Sequence, residues 1–215
     1  MNEPARFRQA QQRRSRNAQE KIFEVSANLL KEKGPDEFTL KELSKLTGVS
    51  VGSIYYRFES KETLLIELQK KEYLQATKDI EARFVKLAET TSSLKEAIKQ
   101  AGHEYAEHLQ IYAPLIRAFM KLALNDKIVS EAGTRIYRTS QALYESLLLK
   151  FKDEIKRENP ERVAHTCFKI LNTSLARYLG FGSLEPITEG LSWEELLEEV
   201  TEVQTYYLCS PDHNA

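Results

Sequence analysis

Residues 39–61 read TLKELSKLTGVSVGSIYYRFESK, a stretch that predicts two short helices joined by a tight turn. Thr39 is placed to cap the first helix, with Glu42 three residues later completing a capping box. Gly48 can take the left-handed backbone conformation that other residues resist, so the chain can reverse direction there. Ser50 is placed to cap the second helix. These signals together have the shape of a helix-turn-helix.

The rest of the chain also predicts helices, about nine in all, and no convincing strand. Residues 18–33 carry apolar side chains at helical spacing, and Gly34 ends that helix. A later helix begins after Ser93, and we expect Pro114 to interrupt it. Residues 127–157 predict one long helix with a single buried stripe. The predicted fold class is therefore all-α, with an N-terminal three-helix domain and a C-terminal helical bundle.

Composition excludes several classes of protein. The 215 residues hold 31 Lys+Arg and 32 Asp+Glu, a formal net charge of −1. Residues 1–61 hold 12 basic and 8 acidic residues, giving +4, and the remaining residues hold 19 and 24, giving −5. Charged residues interrupt every apolar stretch long before the roughly 20 residues of a membrane span, and we expect no secretory signal because no apolar N-terminal segment precedes the first helix. Cys167 and Cys209 are widely separated, which favours reduced thiols in a cytoplasmic protein.

Motifs of enzymes are missing from the sequence, which has no Gly-rich phosphate loop, no Gly-x-Ser-x-Gly and no His-Glu-x-x-His. Glu104 and His108 share a helix face, but no third residue lies at a spacing typical of metal ligands. We therefore expect no enzyme, no metal site and no cofactor.

From Ile22 to Leu65, the chain resembles the TetR family of bacterial transcriptional regulators. The match includes the capped helix after Thr39 and the run GVSVGSIYYRFESKETLL from Gly48 onward. The resemblance implies three parts: a basic arm at residues 1–17, a DNA-binding domain at 18–65, and an effector-binding and dimerisation domain at 66–215.

The resemblance also implies which residues contact DNA. Val51 and Gly52 would face bases, Val51 through apolar contact with a thymine methyl and Gly52 by letting the backbone come close. Others would hold phosphates or, in the arm, reach into a neighbouring minor groove. A disordered arm, solvated and without DNA contact, is the competing interpretation for residues 1–10. The full set of predicted DNA-binding residues is Thr39, Ser50, Val51, Gly52, Ser53, Tyr55, Tyr56, Arg57, Lys61, Arg14 and Arg16.

Polar aromatic residues in an apolar stripe allow two interpretations of the C-terminal half. One is a packed core in which the polar ends of these side chains hydrogen-bond to nearby groups. The other is an apolar pocket for a small effector, which the family resemblance favours. The candidate pocket residues are Tyr105, His108, Tyr112, Phe119, Tyr137, Tyr144, Phe168 and Asn172.

The helix at residues 160–179 is apolar on two sides, so it needs two partners. It is either deeply buried in a monomer or part of a dimeric four-helix bundle, and the resemblance favours the dimer. The candidate interface residues are Leu171, Leu175, Leu197 and Val200. The leading hypothesis is a homodimeric repressor that binds a near-palindromic operator and is released by an effector. An all-α enzyme or a protein-interaction dimer with a degenerate helix-turn-helix is the alternative.

Overall fold

A computed structural model of the chain describes residues 3–182 and 190–211, and it is all-α over these residues. This confirms the predicted fold class, with eight α-helices and one short 3₁₀ helix in the described ranges. The helices are α1 (Glu3–Glu37), α2 (Leu40–Thr47), α3 (Val51–Phe58), α4 (Lys61–Thr90), α5 (Leu94–Ala123), α6 (Lys127–Leu149), α7 (Pro160–Tyr178) and α8 (Trp193–Cys209), with the 3₁₀ helix at Lys152–Glu154.

The helix-turn-helix forms from the local signals in its sequence. Thr39 Oγ1 accepts a hydrogen bond from the Glu42 backbone N–H at 3.2 Å, which caps α2. Gly48 ends α2 with a φ of 73°, in the left-handed region that glycine tolerates best. Ser50 Oγ accepts the Ser53 backbone N–H at 3.2 Å and caps α3. Each cap satisfies a backbone group that the helix end leaves without a partner, so the two short helices start and stop at defined residues.

One hydrophobic cluster joins the three N-terminal helices to the helices that follow. Side chains from α1 to α4 fill most of it, but residues from α5 and α6 also belong to it. These are Leu115, Ala118, Phe119 and Val129. The predicted domain boundary after residue 65 falls inside α4, which runs without a break from Lys61 to Thr90. A movement of α4, α5 or the start of α6 therefore shifts side chains that pack in the core of the helix-turn-helix.

A second cluster fills the space among α4 to α8 and contains the four residues predicted for the dimer interface. Leu171 and Leu175 of α7 and Leu197 and Val200 of α8 are all buried in this cluster. Since α7 packs against both α6 and α8, the two apolar sides of α7 are covered within one chain. These four residues therefore form the core of the protomer and are not available on its surface.

The helix that contains Pro114 is longer than predicted. α5 continues through Pro114 to Ala123, whereas the sequence predicted an interruption there. Proline removes the backbone N–H that would pair with the carbonyl of Gln110, and Gln110 lies on the exposed side of the helix. The neighbours Ala113 and Leu115 are buried, so packing on the inner side holds α5 together across the missing bond.

Two other helix ends also differ from the prediction. The backbone is already helical from Glu3, so α1 includes most of the segment that the sequence assigned to an arm. α6 ends at Leu149 rather than near residue 157, and the 3₁₀ turn follows. That turn places the Glu154 carboxylate 3.0 Å from the backbone N–H of Leu94, where it accepts a hydrogen bond at the start of α5.

Candidate functional site: a nucleic-acid interface and an open cavity

The outer face of α3 is exposed to solvent. Ile54 and Phe58 are buried and fasten α3 to the core, whereas Tyr56 is 92% exposed and Tyr55 is 50% exposed. A tyrosine left almost entirely in water gains nothing from packing, and its hydroxyl is free to donate to a phosphate. Ser53 is exposed as well, beside the N-terminal end of the helix.

The N-terminal end of α3 is built from small residues. Ser50 and Gly52 are exposed and Val51 is half-buried, so no long side chain stands between the start of the helix and an approaching surface. An exposed helix start with small side chains suits close approach to base edges in a major groove. None of these three residues is charged, so the arrangement favours apolar and backbone contacts.

Two further predicted contacts lie together at the starts of other helices. Thr39 is exposed and caps α2, and Lys61 is the first residue of α4. The Lys61 ammonium lies 5.1 Å from the ring centroid of Phe38, the residue that precedes Thr39. Helix starts carry partial positive charge and unpaired N–H groups, and Lys61 adds a full positive charge, so this is a suitable place for a phosphate.

Arg57 has a different environment from the one its predicted role requires. Its Nη1 donates to Ser15 Oγ at 3.0 Å, and its Nε is buried without a hydrogen-bond partner. The guanidinium therefore fastens the end of α3 to α1 and is only partly available to a phosphate. Arg14 and Arg16 are exposed on α1, and Arg16 lies 3.8 Å from Glu20 in a surface ion pair. Such pairs are weak, so both arginines are free to meet an anion.

A cavity of about 620 Å³ lies among α4, α5, α6 and α7. This volume is within the range of about 300–1,000 Å³ that small-molecule sites occupy. The cavity touches both hydrophobic clusters, since Phe119 and Val129 belong to the cluster of the helix-turn-helix and Tyr105 belongs to the other. A molecule bound there would contact both hydrophobic clusters at once.

Five of the eight predicted pocket residues line this cavity: Tyr105, His108, Phe119, Tyr137 and Asn172. The Tyr105 hydroxyl donates to Asn172 Oδ1 at 2.6 Å, which ties α5 to α7 at the wall. Burial lowers the pKa of His108 to about 4, helped by the nearby charge of Arg83 and opposed by Asp79. His108 is therefore a neutral imidazole near pH 7.

The other three predicted residues do not line the cavity. Tyr144 is fully buried, and its hydroxyl donates to Gln204 Oε1 at 2.7 Å in the core. Phe168 is also fully buried and lies at the centre of a group of aromatic rings. Tyr112 is half-buried, and its hydroxyl donates to Asp79 of α4. For Tyr144 and Phe168, the interpretation as packed core is the one that the structure supports.

Several wall residues were missed by sequence reasoning, including Gln69 and Tyr73 of α4. Gln69 is 1% exposed, and its Nε2 donates to the Val129 carbonyl of α6 at 3.0 Å. The Tyr73 ring packs edge-on against Phe119, with centroids 5.4 Å apart. The sequence held a signal for Gln69, because it follows the apolar Leu68 on the buried face of α4. A buried amide requires a hydrogen-bond partner, so such a position marks a candidate polar contact.

Metal-binding and membrane-spanning features are both missing from the described residues. Within residues 3–182 and 190–211, no group of three or more His, Cys, Asp or Glu side chains could hold a metal ion. Glu104, which shares a helix face with His108, forms an ion pair with Arg83, which also binds Glu107 at 2.8 Å. In the same ranges, none of the helices combines the length and the apolar character that crossing a bilayer requires.

The capped helices and the exposed face of α3 define a DNA-binding protein of the helix-turn-helix class. Residues 22–68 match the family model of bacterial regulatory proteins of the tetR family. The resemblance seen in the sequence is therefore confirmed for this domain, whose residues match the DNA-binding part of tetR-family regulators.

Solved structures with the same fold extend over nearly the whole chain. A protein from Mesorhizobium loti MAFF303099, assigned to the TetR family of transcriptional regulators, is 20% identical, with 91% of this chain and 96% of that chain covered at a TM-score of 0.71. FadR from Bacillus subtilis, solved in complex with stearoyl-CoA, is 17% identical, with 87% and 97% covered at a TM-score of 0.62. PfmR from Thermus thermophilus is 18% identical, with 89% and 99% covered at a TM-score of 0.57. The comparison with curated proteins found no match.

Proposed function

We propose that the protein is a homodimeric transcriptional repressor that binds a near-palindromic operator and leaves it when a small molecule enters the cavity. The observation that carries the DNA-binding part is the outer face of α3, where Tyr56 is 92% exposed on a helix whose other side is anchored in the core. The proposed place of action is the bacterial cytoplasm, and no catalytic role is assigned to any residue.

On the operator, α3 enters the major groove with its N-terminal end toward the bases. Val51 and Gly52 approach base edges, while Tyr55 and Tyr56 reach the phosphates on one side of the groove. Thr39 and Lys61 hold a phosphate at the paired starts of α2 and α4. Direct base recognition is then modest, because no Arg, Asn or Gln lies among the base-facing residues, and DNA shape contributes to specificity.

Release by an effector is supported by the position of the cavity. α4 carries Gln69 and Tyr73 on the cavity wall and begins at Lys61, next to the DNA-binding helices. A ligand that fits one position of α4 better than another changes the population of the DNA-binding arrangement. FadR is a protein of the same fold that binds stearoyl-CoA, which supports an effector site in this fold without naming the ligand of this chain.

We place the dimer contact on exposed residues of α7 and α8, because the residues predicted from the sequence are buried in the protomer. The exposed apolar residues of α7 and α8 are Ile170, Val203 and Tyr206, with 40%, 53% and 66% of their surface exposed. A two-fold contact between these faces would cover apolar surface on both protomers and place two α3 helices on one operator. Val203→Asp should convert the dimer to a monomer, as measured by light scattering, while exposed Val85→Asp on α4 serves as the control.

The proposed function is tested by selecting bound DNA from a random pool with the full-length protein. We expect a recovered site with two related half-sites about 10 base pairs apart or at a multiple of that spacing. Binding to this site should weaken steeply with salt, because each neutralised phosphate releases counterions. Recovery of no site, or binding that salt does not weaken, would contradict the proposal.

A further inference from the structure

The cavity walls carry no formal charge among the described residues. None of the described residues that line the cavity is Lys, Arg, Asp or Glu. His108 does not supply a positive charge near pH 7, because burial lowers its pKa to about 4. A carboxylate, phosphate or sulfonate moved from water into this space would lose its hydration without gaining a cation. The walls therefore disfavour an anionic ligand.

Aromatic rings give the cavity a preference for flat, apolar molecules. Rings stack face to face with an offset or meet edge to face, and both contacts add to the burial of apolar surface. The opening has an apolar rim as well, since Leu124 lines it and is 84% exposed. The rings on the wall are Tyr73, Tyr105, Phe119, Tyr137 and Phe181.

The amide of Gln69 adds one polar requirement. Its Nε2 donates to the Val129 carbonyl at 3.0 Å, and a carbonyl can only accept, so this bond fixes which end of the amide is the oxygen. Gln69 Oε1 is consequently a buried acceptor that forms no hydrogen bond within the described residues, although the Tyr73 hydroxyl lies near this amide. A buried acceptor without a partner is costly, and a ligand N–H or O–H group would relieve that cost.

We infer that the cavity binds an uncharged aromatic molecule that donates a hydrogen bond to Gln69 Oε1 and that anionic analogues of the same shape are rejected. This inference rests on the proposed function, because it names the chemical class of the effector. Gln69 lies on α4, eight residues after Lys61, and it bonds to α6. The ligand donor therefore acts on the contact that holds α4 against α6.

Charge selection is tested with two fluorescent probes that share one ring system. N-phenyl-1-naphthylamine is neutral and carries an N–H donor, and 5-anilino-1-naphthalenesulfonate is the same molecule with a sulfonate added too far from the N–H to bond to it. In fluorescence titrations of the full-length protein, we expect the neutral probe to bind at least about ten-fold more tightly, since a buried, unpaired charge is costly. Equal or tighter binding of the sulfonate overturns the inference, as does failure of the neutral probe to bind.

A cavity-filling variant shows whether the probe binds in this cavity. Gly133 lines it, and a Cβ atom built there would lie 3.9 Å from the Tyr73 hydroxyl, so Gly133→Leu projects a larger side chain toward the wall without a backbone clash. We expect this variant to fold and to lose binding of the neutral probe. Unchanged binding would place the probe elsewhere and would overturn the assignment.

The role of Gln69 is tested by replacing the donor of the probe. In competition assays, 1-phenoxynaphthalene, which has an ether oxygen in place of the N–H, should bind about five-fold more weakly than N-phenyl-1-naphthylamine. Gln69→Leu should remove this preference, and Gln75→Leu, an exposed position on the same helix, should leave it unchanged. A preference that persists in Gln69→Leu contradicts the assigned hydrogen bond.

DNA selection with the same preparation separates this inference from the proposed function. If the protein selects an operator but prefers the sulfonate probe, the ligand class is wrong and the proposed function stands. If it binds the neutral donor probe in the cavity but selects no DNA, the proposed function is wrong and the ligand class stands.

Discussion

The two halves of the molecule differ in how their function is encoded. Residues 22–68 match a family model, whereas the full-length neighbours share the fold at only 17–20% identity. In the first half, the candidate site is a surface that short capped helices present within 23 consecutive residues. In the second half it is a cavity with wall residues from Gln69 to Phe181. The difference shows that a site made of local signals can be recognised in a sequence, whereas a site assembled across helices can be recognised only in part.

The largest expected effect would come from breaking the surface site alone. Tyr56→Ala combined with Lys61→Ala removes a nearly fully exposed tyrosine and the ammonium at the start of α4. Each lost phosphate contact costs affinity, and we expect about a hundred-fold weaker binding to the selected operator by fluorescence anisotropy. Lys78→Ala, an exposed position on α4 away from its start, is the control and should bind normally.

The same double variant should keep its helical content, its dimer and its binding of the neutral probe, because neither side chain belongs to the second half. If dimer or probe binding is lost together with DNA binding, the two residues support the fold, and the separation of surface site from cavity is wrong.

A second expected effect concerns pH and belongs to the cavity half. Burial, chiefly, lowers the pKa of His108 from 6.5 to about 4, so the unfolded chain binds a proton there more readily than the folded one. The contribution of neutral His108 to the free energy of unfolding is therefore fully present above pH 6.5. It is lost as the pH falls from there toward 4. Between pH 7 and 5, the loss is about 2 kcal/mol. His108→Gln should show a correspondingly smaller loss in urea unfolding over this range.

His103 provides the matched control for this measurement, because it lies on the same helix but is exposed. His103→Gln should retain the wild-type dependence on pH. An equally steep decline of stability in His108→Gln would mean that another group is responsible.

A third effect, about 1 kcal/mol, tests the packing that defines the second half. A Cβ atom on Gly102 of α5 would lie 2.6 Å from Thr201 Cγ2 of α8, which is too close for two carbon atoms. We expect Gly102→Ala to destabilise the protein, since overpacking costs about 1–3 kcal/mol and the better helix propensity of alanine offsets about 1 kcal/mol. Adding Thr201→Ser removes the methyl group, keeps the hydroxyl, and should restore stability in urea unfolding. A single variant as stable as the wild type would contradict the close approach of α5 and α8.

The sequence was sufficient for the helix-turn-helix because its determinants are local. Thr39 and Ser50 cap the helices as predicted, and Gly48 takes the left-handed conformation as predicted. Each of these features depends on neighbours within four residues, so a single sequence contains all the information needed. The all-α fold class follows in the same way from apolar spacing.

The cavity and the dimer surface could be predicted only in part, since spacing identifies a buried face but not what covers it. Leu171 and Leu175 lie on an apolar face of α7, as predicted, but α6 and α8 of the same chain cover them. Tyr144 and Tyr105 are both buried tyrosines, yet only Tyr105 reaches the cavity wall. That distinction depends on the positions of four helices and has no local signature.

The smallest effect concerns Arg57, where the first half departs from its own prediction. The sequence assigned a phosphate contact, whereas Nη1 donates to Ser15 Oγ at 3.0 Å and joins α3 to α1. Removing one phosphate contact lowers the slope of log affinity against log salt concentration by about 1. We expect Arg57→Gln to leave this slope unchanged and to lower stability modestly, whereas Lys61→Gln should reduce the slope. A slope reduced equally in both variants would show that Arg57 leaves Ser15 to hold a phosphate on DNA, and the original prediction from the sequence would then be right.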